Sequence, residues 1–376
     1  MSQSTEGNRK PRVAIVFGGR ASEHAISCIT AANVLQVIDR DKYDVVPIGI
    51  STEGQWVLES ADPARLAITD GRLPSVDVAA APVLFGSNRE LVVSEAGQVP
   101  QTLGEVDVVF PLLHGPWGED GTIQGMFEMA DMRYVGAGVL ASAVGMDKHY
   151  MKIIFEAAGL EVVPYVVIRA RDWQTDPDAC REAAGKLGYP LFVKPARGGS
   201  SLGVSKADSP EELDVAIAEA QRHDPKVIVE ASVTRPREIE VGILGRVDGE
   251  RADVSVCAEI VVEGGGHDFY DFETKYLPEG EEFTTLSVPA ELPAAIADEI
   301  RAQALTAFEA IECEGLARVD FFLDATNRVI INEINTMPGF TPQSMFPRVW
   351  AASGIDYTEL VDRLITLALT RPTGLR

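Results

Sequence analysis

The sequence predicts an α/β protein in which an N-terminal domain with a doubly wound parallel sheet is followed by two α+β domains. Three observations support this prediction. Apolar runs alternate with segments of helical periodicity in the first third of the chain, as in parallel sheets covered by helices. A glycine-rich loop separates two strand-like runs near the middle, and a hairpin pattern appears near the end. We place the domains at residues 1–137, 138–235 and 236–376.

The first domain combines short apolar runs with amphipathic segments. A helix over Glu23–Ile38 is predicted from its periodicity, with Ser22 as its N-cap. The stretch 59–104 is rich in Pro, Gly and Ala, so we expect it at the periphery. The predicted strands are 12–17, Asp44–Ile50 and Val106–Leu113, and a further helix is predicted near Ile123–Met129.

The second and third domains mix strands and helices without a repeat. In the second, helices are predicted at Lys148–Ala158, Ala179–Leu187 and Pro210–Arg222, and strands at 162–168, Leu191–Lys194 and Val227–Glu230. In the third, strands are predicted at Ile239–Gly245, Val254–Glu263, Leu316–Leu323 and Val329–Asn335, and helices at Glu291–Ile311 and Asp356–Leu369.

The composition narrows the class of partners. The 376 residues carry 33 basic and 57 acidic side chains, a formal net charge of −24. This charge disfavours nucleic acid and anionic membranes as partners, so an anionic substrate needs a local basic pocket. The chain shows no signal-peptide pattern, no apolar run of membrane-helix length and no C-x-x-C pair among its four cysteines. We therefore expect a cytoplasmic protein.

The hairpin near the C-terminal end carries the most informative pattern. If it closes in a two-residue turn at 326–327, Arg318 faces Asn335 across the strands. Asp320 then faces Glu333, and all four side chains emerge on one face. Two carboxylates and a carboxamide at that spacing supply the hard oxygen ligands that suit Mg²⁺ bound to phosphate. The alternative is an exposed polar face held by an Arg–carboxylate pair.

The glycine-rich loop at 194–204 is a candidate phosphate site. Its glycines let backbone N–H groups approach a phosphate closely, Ser200 and Ser201 add donors, and Lys194 adds positive charge. Its order differs from G-x-x-x-x-G-K-[ST], so it is not a Walker loop. A flexible hairpin without a ligand is the alternative.

Other charged residues lie where open α/β sheets bind ligands. Glu23 follows two glycines at a helix start, and His114 and Glu119 follow a predicted strand. A helix-dipole partner is the alternative for Glu23, and a structural role is the alternative for His114. Lys148 opens a helix, where an exposed lysine is the alternative. The aromatic and charged loop at 269–276 is expected to cover a site as a lid, with a packed surface loop as the alternative.

Taken together, a series of collinear segments resembles the D-alanine–D-alanine ligases, a family of the ATP-grasp group. The segments are V-F-G-G-R-A-S-E-H-A-I-S at 16–27, L-H-G-P-W-G-E-D-G-T-I-Q-G at 113–125, M-D-K at 146–148, F-V-K-P-A-R-G-G-S-S-L-G-V at 192–204, R-E-I-E-V-G-I-L-G at 237–245, F-Y-D-F-E-T-K-Y at 269–276, R-V-D-F-F at 318–322 and N-E-I-N-T-M-P-G-F-T-P-Q-S-M at 332–345. The resemblance implies an ATP-grasp fold, with ATP gripped between the central and C-terminal domains.

The resemblance also implies roles for individual residues. It places two Mg²⁺ ions, which Mn²⁺ could replace, on Asp320, Glu333 and Asn335. It places nucleotide contacts at Lys148, Lys194, Ser201, Glu230, Ala231, Val233, Glu238, Phe272, Lys275 and Asn332. It places amino-acid contacts at Glu23, His114, Arg318, Gly339, Ser344 and Met345. Ser200 and Tyr276 are implied to form a network with Glu23 that closes the lid.

The activity implied by the resemblance is the ATP-dependent ligation of two D-alanine molecules through a D-alanyl phosphate. The product, D-alanyl-D-alanine, is a precursor for peptidoglycan, and family members are usually homodimers. Ala25, Gly198 and Ala231 depart from the residues usual in the family, which affects details of nucleotide contact. A D-alanine–D-lactate ligase or another ATP-grasp carboxylate–amine ligase is the alternative. Tyr276 favours the dipeptide product, because the D-lactate enzymes carry a different residue in the lid.

Overall fold

The structure is a computed structural model that describes residues 9–68, 71–85, 89–94, 99–263 and 283–373. Among these residues, no helix has the length and apolar character needed to cross a membrane.

The described chain alternates strands and helices and forms four sheets. The strands are β1 Arg12–Gly18, β2 Asp44–Ile50, β3 Trp56–Leu58, β4 Val83–Phe85, β5 Glu90–Val93, β6 Gln101–Glu105, β7 Val108–Pro111, β8 Tyr165–Arg169, β9 Leu191–Pro195, β10 Ser205–Ala207, β11 Lys226–Ala231, β12 Arg237–Leu244, β13 Asp253–Glu263, β14 Phe283–Ser287, β15 Leu316–Leu323 and β16 Val329–Asn335. The helices are α1 His24–Val37, α2 Thr122–Met129, α3 Val139–Met146, α4 Lys148–Ala157, α5 Ala170–Thr175, α6 Pro177–Gly185, α7 Pro210–Gln221, α8 Ala294–Ala310, α9 Met345–Ala352 and α10 Tyr357–Thr370.

The N-terminal sheet has the order β3-β2-β1-β7, and β1 pairs in parallel with both of its neighbours. Its central strand is buried on both faces, so Val13 to Phe17 are inaccessible to solvent. This explains the continuous apolar run in the sequence. The small antiparallel sheet β4-β5-β6 lies in the stretch that we expected at the periphery, except for Glu105 at the end of β6.

The start of α1 differs from the prediction. The helix begins at His24, and Glu23 takes the cap position without a side-chain cap hydrogen bond. The prediction of Ser22 as N-cap is therefore wrong, because its hydroxyl donates instead to Glu23 Oε2 at 2.8 Å. The Glu23 carboxylate accepts hydrogen bonds from Ser22 and from Ser200 and makes no cap hydrogen bond to the helix.

Two antiparallel sheets follow the N-terminal sheet. The central one has the order β10-β9-β11-β8, and apolar residues of α6 and α7 form a core with it. The C-terminal one has the order β14-β13-β12-β15-β16 and shares a core with α4 and α8. A separate core joins α1 and β1 to α9 and α10, so the end of the chain packs back on the N-terminal sheet.

The β15–β16 hairpin keeps the predicted pairing of Arg318 with Asn335 and of Asp320 with Glu333, although the predicted turn is wrong. Residues 324–328 form a five-residue connection between the strands, not a two-residue turn. A bulge then inserts Asn332 as one extra residue in β16. The extra residue compensates for the different loop, so Asp320 pairs with Glu333 as predicted.

Candidate active site

A cavity of about 820 Å³ lies among the N-terminal, central and C-terminal sheets. Every predicted site residue that the structure describes contributes to its lining. These residues are Glu23, His114, Lys148, Lys194, Ser200, Ser201, Glu230, Ala231, Val233, Glu238, Arg318, Asp320, Asn332, Glu333, Asn335, Gly339, Ser344 and Met345. The predicted lid residues Phe272, Lys275 and Tyr276 lie outside the described residues.

The hairpin presents its polar face to this cavity. The Arg318 guanidinium donates through Nε and a terminal nitrogen to both oxygens of Asp320, at 2.8 and 2.7 Å. Asn335 Nδ2 donates to Asp320 Oδ2 at 2.9 Å, and Glu240 of the adjacent β12 lies 3.2 Å from Arg318 Nε. Burial opposes the charge on Arg318, but the carboxylates of Asp320 and Glu240 outweigh it and raise the pKa of Arg318. An Arg–carboxylate pair is therefore present, but it lines a cavity instead of an exposed face.

Glu333 forms an ion pair with Lys148. Lys148 Nζ lies 3.0 Å from Glu333 Oε2 and donates to the carbonyl of Gly198 in the glycine-rich loop at 3.2 Å. Burial would raise the pKa of Glu333, but Lys148 outweighs it and holds that pKa well below its usual range. The alternative of an ordinary exposed lysine is wrong for Lys148, since it joins α4, the hairpin and the loop.

A second cluster of buried charges lies on the central sheet. Lys194 on β9 donates to Glu230 Oε2 on β11 at 2.7 Å. Lys152, one turn after Lys148 on α4, places Nζ 3.0 Å from Glu230 Oε1. Burial would raise the pKa of Glu230, but the two lysines outweigh it and lower that pKa to about 2. Sequence reasoning missed Lys152, although the four-residue spacing after Lys148 on one helix face was an available signal.

The glycine-rich loop connects β9 to β10 and reaches the start of α1. Ser200 Oγ donates to Glu23 Oε1 at 3.0 Å. Ser200 and Ser201 have φ angles of 50° and 58°, a left-handed conformation that is rare outside glycine. Such strain persists only where surrounding contacts hold it, and it clusters at ligand sites.

His114 and Glu119 border the cavity from the N-terminal side. His114 Nδ1 lies 3.3 Å from the carbonyl of Met337, and burial lowers the pKa of this imidazole. The backbone N–H of Gly115 donates to Glu119 Oε1 at 2.7 Å. Burial raises the pKa of Glu119 to about 8, so its carboxyl group is largely protonated at neutral pH. The cavity wall thus contains a neutral imidazole and a neutral acid beside the ionised Glu333.

The start of α9 forms the far wall. Ser344 is the residue before this helix, and its hydroxyl lies 2.9 Å from the Thr341 hydroxyl. Met345 is buried, and a Cβ at Gly339 would lie 3.0 Å from Ser344 Oγ. The absence of a side chain at Gly339 therefore leaves its backbone accessible beside the serine. A helix start also offers free N–H groups to an anion.

The donor set on the hairpin suits a metal ion that completes its shell with phosphate oxygens. Within the described part of the chain, no group of three or more His, Cys, Asp or Glu side chains is arranged to hold a metal. The hairpin instead offers two carboxylates and a carboxamide, Asp320, Glu333 and Asn335, on one face. Two carboxylates with few other ligands are typical of Mg²⁺ sites in which the substrate phosphates supply the remaining oxygens.

Two antiparallel sheets that enclose a lysine-rich cavity beneath a glycine-rich loop define the ATP-grasp class of proteins. The family model for the D-ala D-ala ligase N-terminus matches residues 12–137, and the model for the C-terminus matches residues 154–366. The chain belongs to the D-alanine–D-alanine ligase family.

Individual relatives agree with this assignment over nearly the whole chain. The D-alanine–D-alanine ligase of Arthrobacter sp. (strain FB24) is 57% identical, over 98% of this chain and 97% of the relative. That of Streptomyces griseus is also 57% identical, over 98% and 95%. Among solved structures, the VanG D-Ala:D-Ser ligase from Enterococcus faecalis has a TM-score of 0.80 at 32% identity, over 96% of this chain and 100% of that chain. The D-alanine-D-alanine ligase from Coxiella burnetii has a TM-score of 0.77 at 32% identity, over 96% and 94%.

Proposed function

We propose that this protein joins two D-alanine molecules into D-alanyl-D-alanine and converts ATP into ADP and phosphate. In the first step, a carboxylate oxygen of one D-alanine attacks the γ-phosphorus, the bond to the β,γ-bridging oxygen breaks, and ADP leaves. In the second step, the amine of the other D-alanine attacks the acyl carbon of D-alanyl phosphate. The amine loses a proton and inorganic phosphate leaves. The observation that carries the proposal is the convergence of three cationic groups, Lys148, Lys194 and Arg318, with Glu23 in one cavity.

The nucleotide is assigned to the side of the cavity formed by the central sheet. Lys148 and Lys194 approach it from α4 and β9 and supply the positive charge that a triphosphate requires in a chain of net charge −24. The loop that carries Ser201 covers the phosphates with backbone and hydroxyl donors. The adenosine part is assigned to the wall formed by Glu230, Ala231, Val233, Glu238 and Asn332.

The amino acids are assigned to the opposite side, between α1 and α9. Glu23 receives the ammonium group of the first D-alanine, with His114 beside it. The guanidinium of Arg318 and the backbone N–H of Gly339 stabilise the oxyanion that develops at the acyl carbon, which is where preorganised donors accelerate acyl transfer most.

The second D-alanine is assigned to the start of α9. Ser344 and the N–H groups of this helix end bind its carboxylate, and Met345 packs beside it. The acceptor amine then lies between the two substrate positions. This arrangement sets the order of the two amino acids in the product.

The acidic hairpin face is assigned to the metal ions that accompany ATP. Asp320, Glu333 and Asn335 would hold two Mg²⁺ ions, which neutralise charge on the phosphates during transfer. Arg318 and Lys148 are the groups that compensate these carboxylates in the described structure. The two cations are therefore placed to contact substrate oxygens when the carboxylates bind metal.

Water must be excluded, since an acyl phosphate in contact with water is hydrolysed. Ser200 already links the glycine-rich loop to Glu23 at 3.0 Å. The loop at 269–276 completes the cover in this proposal and supplies Phe272, Lys275 and Tyr276. We further propose a cytoplasmic homodimer, with each chain divided into domains at 1–137, 138–235 and 236–376.

The experiment is the measurement of ADP release with ATP and Mg²⁺, together with mass analysis of the product. With D-alanine as the only amino acid, ADP and D-alanyl-D-alanine should form in equal amounts. L-alanine should give neither product. D-Lactate and D-serine, each added with D-alanine, test the acceptor. Preferential formation of a D-alanyl-D-lactate or D-alanyl-D-serine product would contradict the proposed acceptor, and no ADP release with D-alanine would contradict the reaction.

A further inference from the structure

Lys152 has no part in the proposed reaction, yet its environment is unusual for a lysine. Its side chain is 1% exposed and lies behind the cavity wall, on α4. Glu230, which it faces at 3.0 Å, is 2% exposed. The ring of Tyr165 on β8 also lies nearby, with its centroid 6.0 Å from Lys152 Nζ. Lysine is almost never fully buried without a partner, because loss of hydration strongly disfavours the charge.

The carboxylate of Glu230 is divided between two ammonium groups. Oε1 faces Lys152, which lies behind the wall, and Oε2 accepts from Lys194, which lines the cavity. Lys194 and Glu230 lie diagonally on neighbouring strands of the central sheet, with Ile228 paired to Lys194. Burial lowers the pKa of Lys152, and the carboxylate of Glu230 opposes that shift. With both lysines protonated, the three side chains carry two positive charges and one negative charge. The cluster then has a net charge of +1, and Lys194 is its member on the side to which the nucleotide phosphates are assigned.

Without Lys152, the same carboxylate would neutralise Lys194. The Lys194–Glu230 pair alone has no net charge, and its field on a phosphate group is that of a dipole. At the intermediate dielectric of a partly enclosed site, the removal of one unit charge changes the binding of a polyanion substantially. The sequence supplies few lysines in a strongly acidic chain, so each one that borders the cavity matters.

We propose that Lys152 is a positioning residue for ATP, which it does not contact. Lys152 pairs with Oε1 of Glu230 and offsets the negative charge of this carboxylate. The positive charge of Lys194 is therefore less compensated by Glu230 and attracts the phosphates more strongly. This inference rests on the proposed function only for the identity of the nucleotide. It assigns Lys152 to the affinity for phosphate groups rather than to recognition of adenosine or D-alanine.

The test is a charge cycle on the full-length protein, with Lys152→Met, Glu230→Gln and the double variant. The binding of ATP with Mg²⁺ and of adenosine is measured by calorimetry without D-alanine. Lys42→Met is the matched control, because Lys42 also forms a lysine–carboxylate contact, with Asp362 at 2.6 Å, but on the surface. Thermal unfolding of each variant establishes that it is folded.

Lys152→Met should weaken ATP binding by about tenfold, the size expected for one unit charge next to a phosphate site of intermediate dielectric. Adenosine binding should change less than about twofold, since the nucleoside carries no charge. The ratio of ATP affinity to adenosine affinity cancels any change in the adenosine contact of Glu230. This ratio should fall in Lys152→Met and return towards the wild-type value in the double variant, because its net charge returns to +1, and Lys42→Met should bind ATP normally. In turnover, KM for ATP should rise and KM for D-alanine should stay unchanged.

Three results would overturn the inference. They are unchanged ATP binding in Lys152→Met, an equal loss for ATP and adenosine, or a ratio of ATP affinity to adenosine affinity that does not recover in the double variant. If Lys152→Met does not fold because the Glu230 carboxylate is left without its buried partner, Glu230→Gln and the double variant repeat the comparison without that carboxylate. The ratio of ATP affinity to adenosine affinity should then be higher in Glu230→Gln than in the double variant. Since binding is measured without D-alanine, failure of the proposed ligase reaction would appear separately, as a wild-type protein that binds ATP without forming the dipeptide.

Discussion

The replacement of Glu333 by Gln tests whether the charge of the hairpin carboxylate contributes to stability and to catalysis. The change keeps the size of the side chain and removes its charge. Lys148 then loses its carboxylate partner at 3.0 Å and keeps the Gly198 carbonyl at 3.2 Å. The side chains of the pair are 16% and 25% exposed, between a surface pair and a fully buried one. We therefore expect a loss of about 1–3 kcal/mol in the free energy of unfolding at pH 7, which an enzyme of this size should survive.

The effect on catalysis should be larger than the effect on stability. A lost charge at the phosphoryl group typically lowers kcat by about 10²–10³-fold, or about 3–4 kcal/mol in activation free energy. The pKa of Glu333 is lowered in the folded protein, so its contribution to stability is present above the pKa of an unfolded carboxyl group. The difference in the free energy of unfolding between wild type and variant should therefore decrease progressively as the pH falls below about 5.

The assay is ADP release at saturating ATP and D-alanine, combined with thermal unfolding at pH 7 and at lower pH. Glu161→Gln is the matched control, because Glu161 also faces a cation, Arg328, at 3.0 Å, but on the surface with its side chain 48% exposed. This control should keep kcat and stability nearly unchanged. Near-normal turnover of Glu333→Gln, or an equal loss in the control, would refute the reasoning about the hairpin.

Three other predictions concern the surroundings of the hairpin. Gly203→Ala should destabilise the glycine-rich loop by about 1–3 kcal/mol, because Gly203 has a φ of +73° and a Cβ would lie 2.5 Å from the His223 ring; an unchanged melting temperature would contradict this. Glu119→Gln should flatten the pH dependence of the free energy of unfolding between pH 4.5 and about 8. In the wild type, the stabilisation that comes from keeping this carboxyl group neutral is fully present below its ordinary pKa of 4.5. It is lost as the pH rises through about 8. Parallel curves for variant and wild type in chemical denaturation would contradict this. Arg318→Lys should lower kcat at least about tenfold with little change in KM for ATP, since lysine cannot reproduce the two hydrogen bonds to Asp320 or the planar donor set; a change confined to KM for ATP would place Arg318 on the nucleotide instead.

The sequence predicts the fold class and most elements because their periodicities are strong. The limits of β2, β15 and β16 agree with those in the structure, since apolar alternation and flanking turn residues mark them. Helix α9 was missed. It is short and contains Pro347, which reads as a helix breaker although proline is tolerated in a first turn.

The candidate site was predictable to the extent that its residues lie on regular strands. The pairing of Asp320 with Glu333 follows from strand alternation, and it survives a wrong turn because the bulge at Asn332 restores the register. A bulge leaves no clear pattern in a single sequence. The predicted register is correct only because the longer connection at 324–328 and the bulge at Asn332 compensate for each other.

Contacts between distant segments could not be predicted from patterns. Lys152 reaches Glu230 across 78 positions of sequence only because α4 packs on the central sheet. The elevated pKa of Glu119 arises from burial in the assembled cavity, and periodicity does not reveal such burial. The roles of the individual site residues remain predictions, supported by their convergence on one cavity.

The most direct measurement is a crystal structure with an unreactive ATP analogue, Mg²⁺ and D-alanine. We expect the triphosphate between Lys148 and Lys194, with the metal ions bound by Asp320, Glu333 and Asn335. A nucleotide bound elsewhere, or metal ions that leave those three side chains uncoordinated, would contradict the central proposal that this hairpin, Lys148 and Lys194 together form the phosphoryl-transfer site.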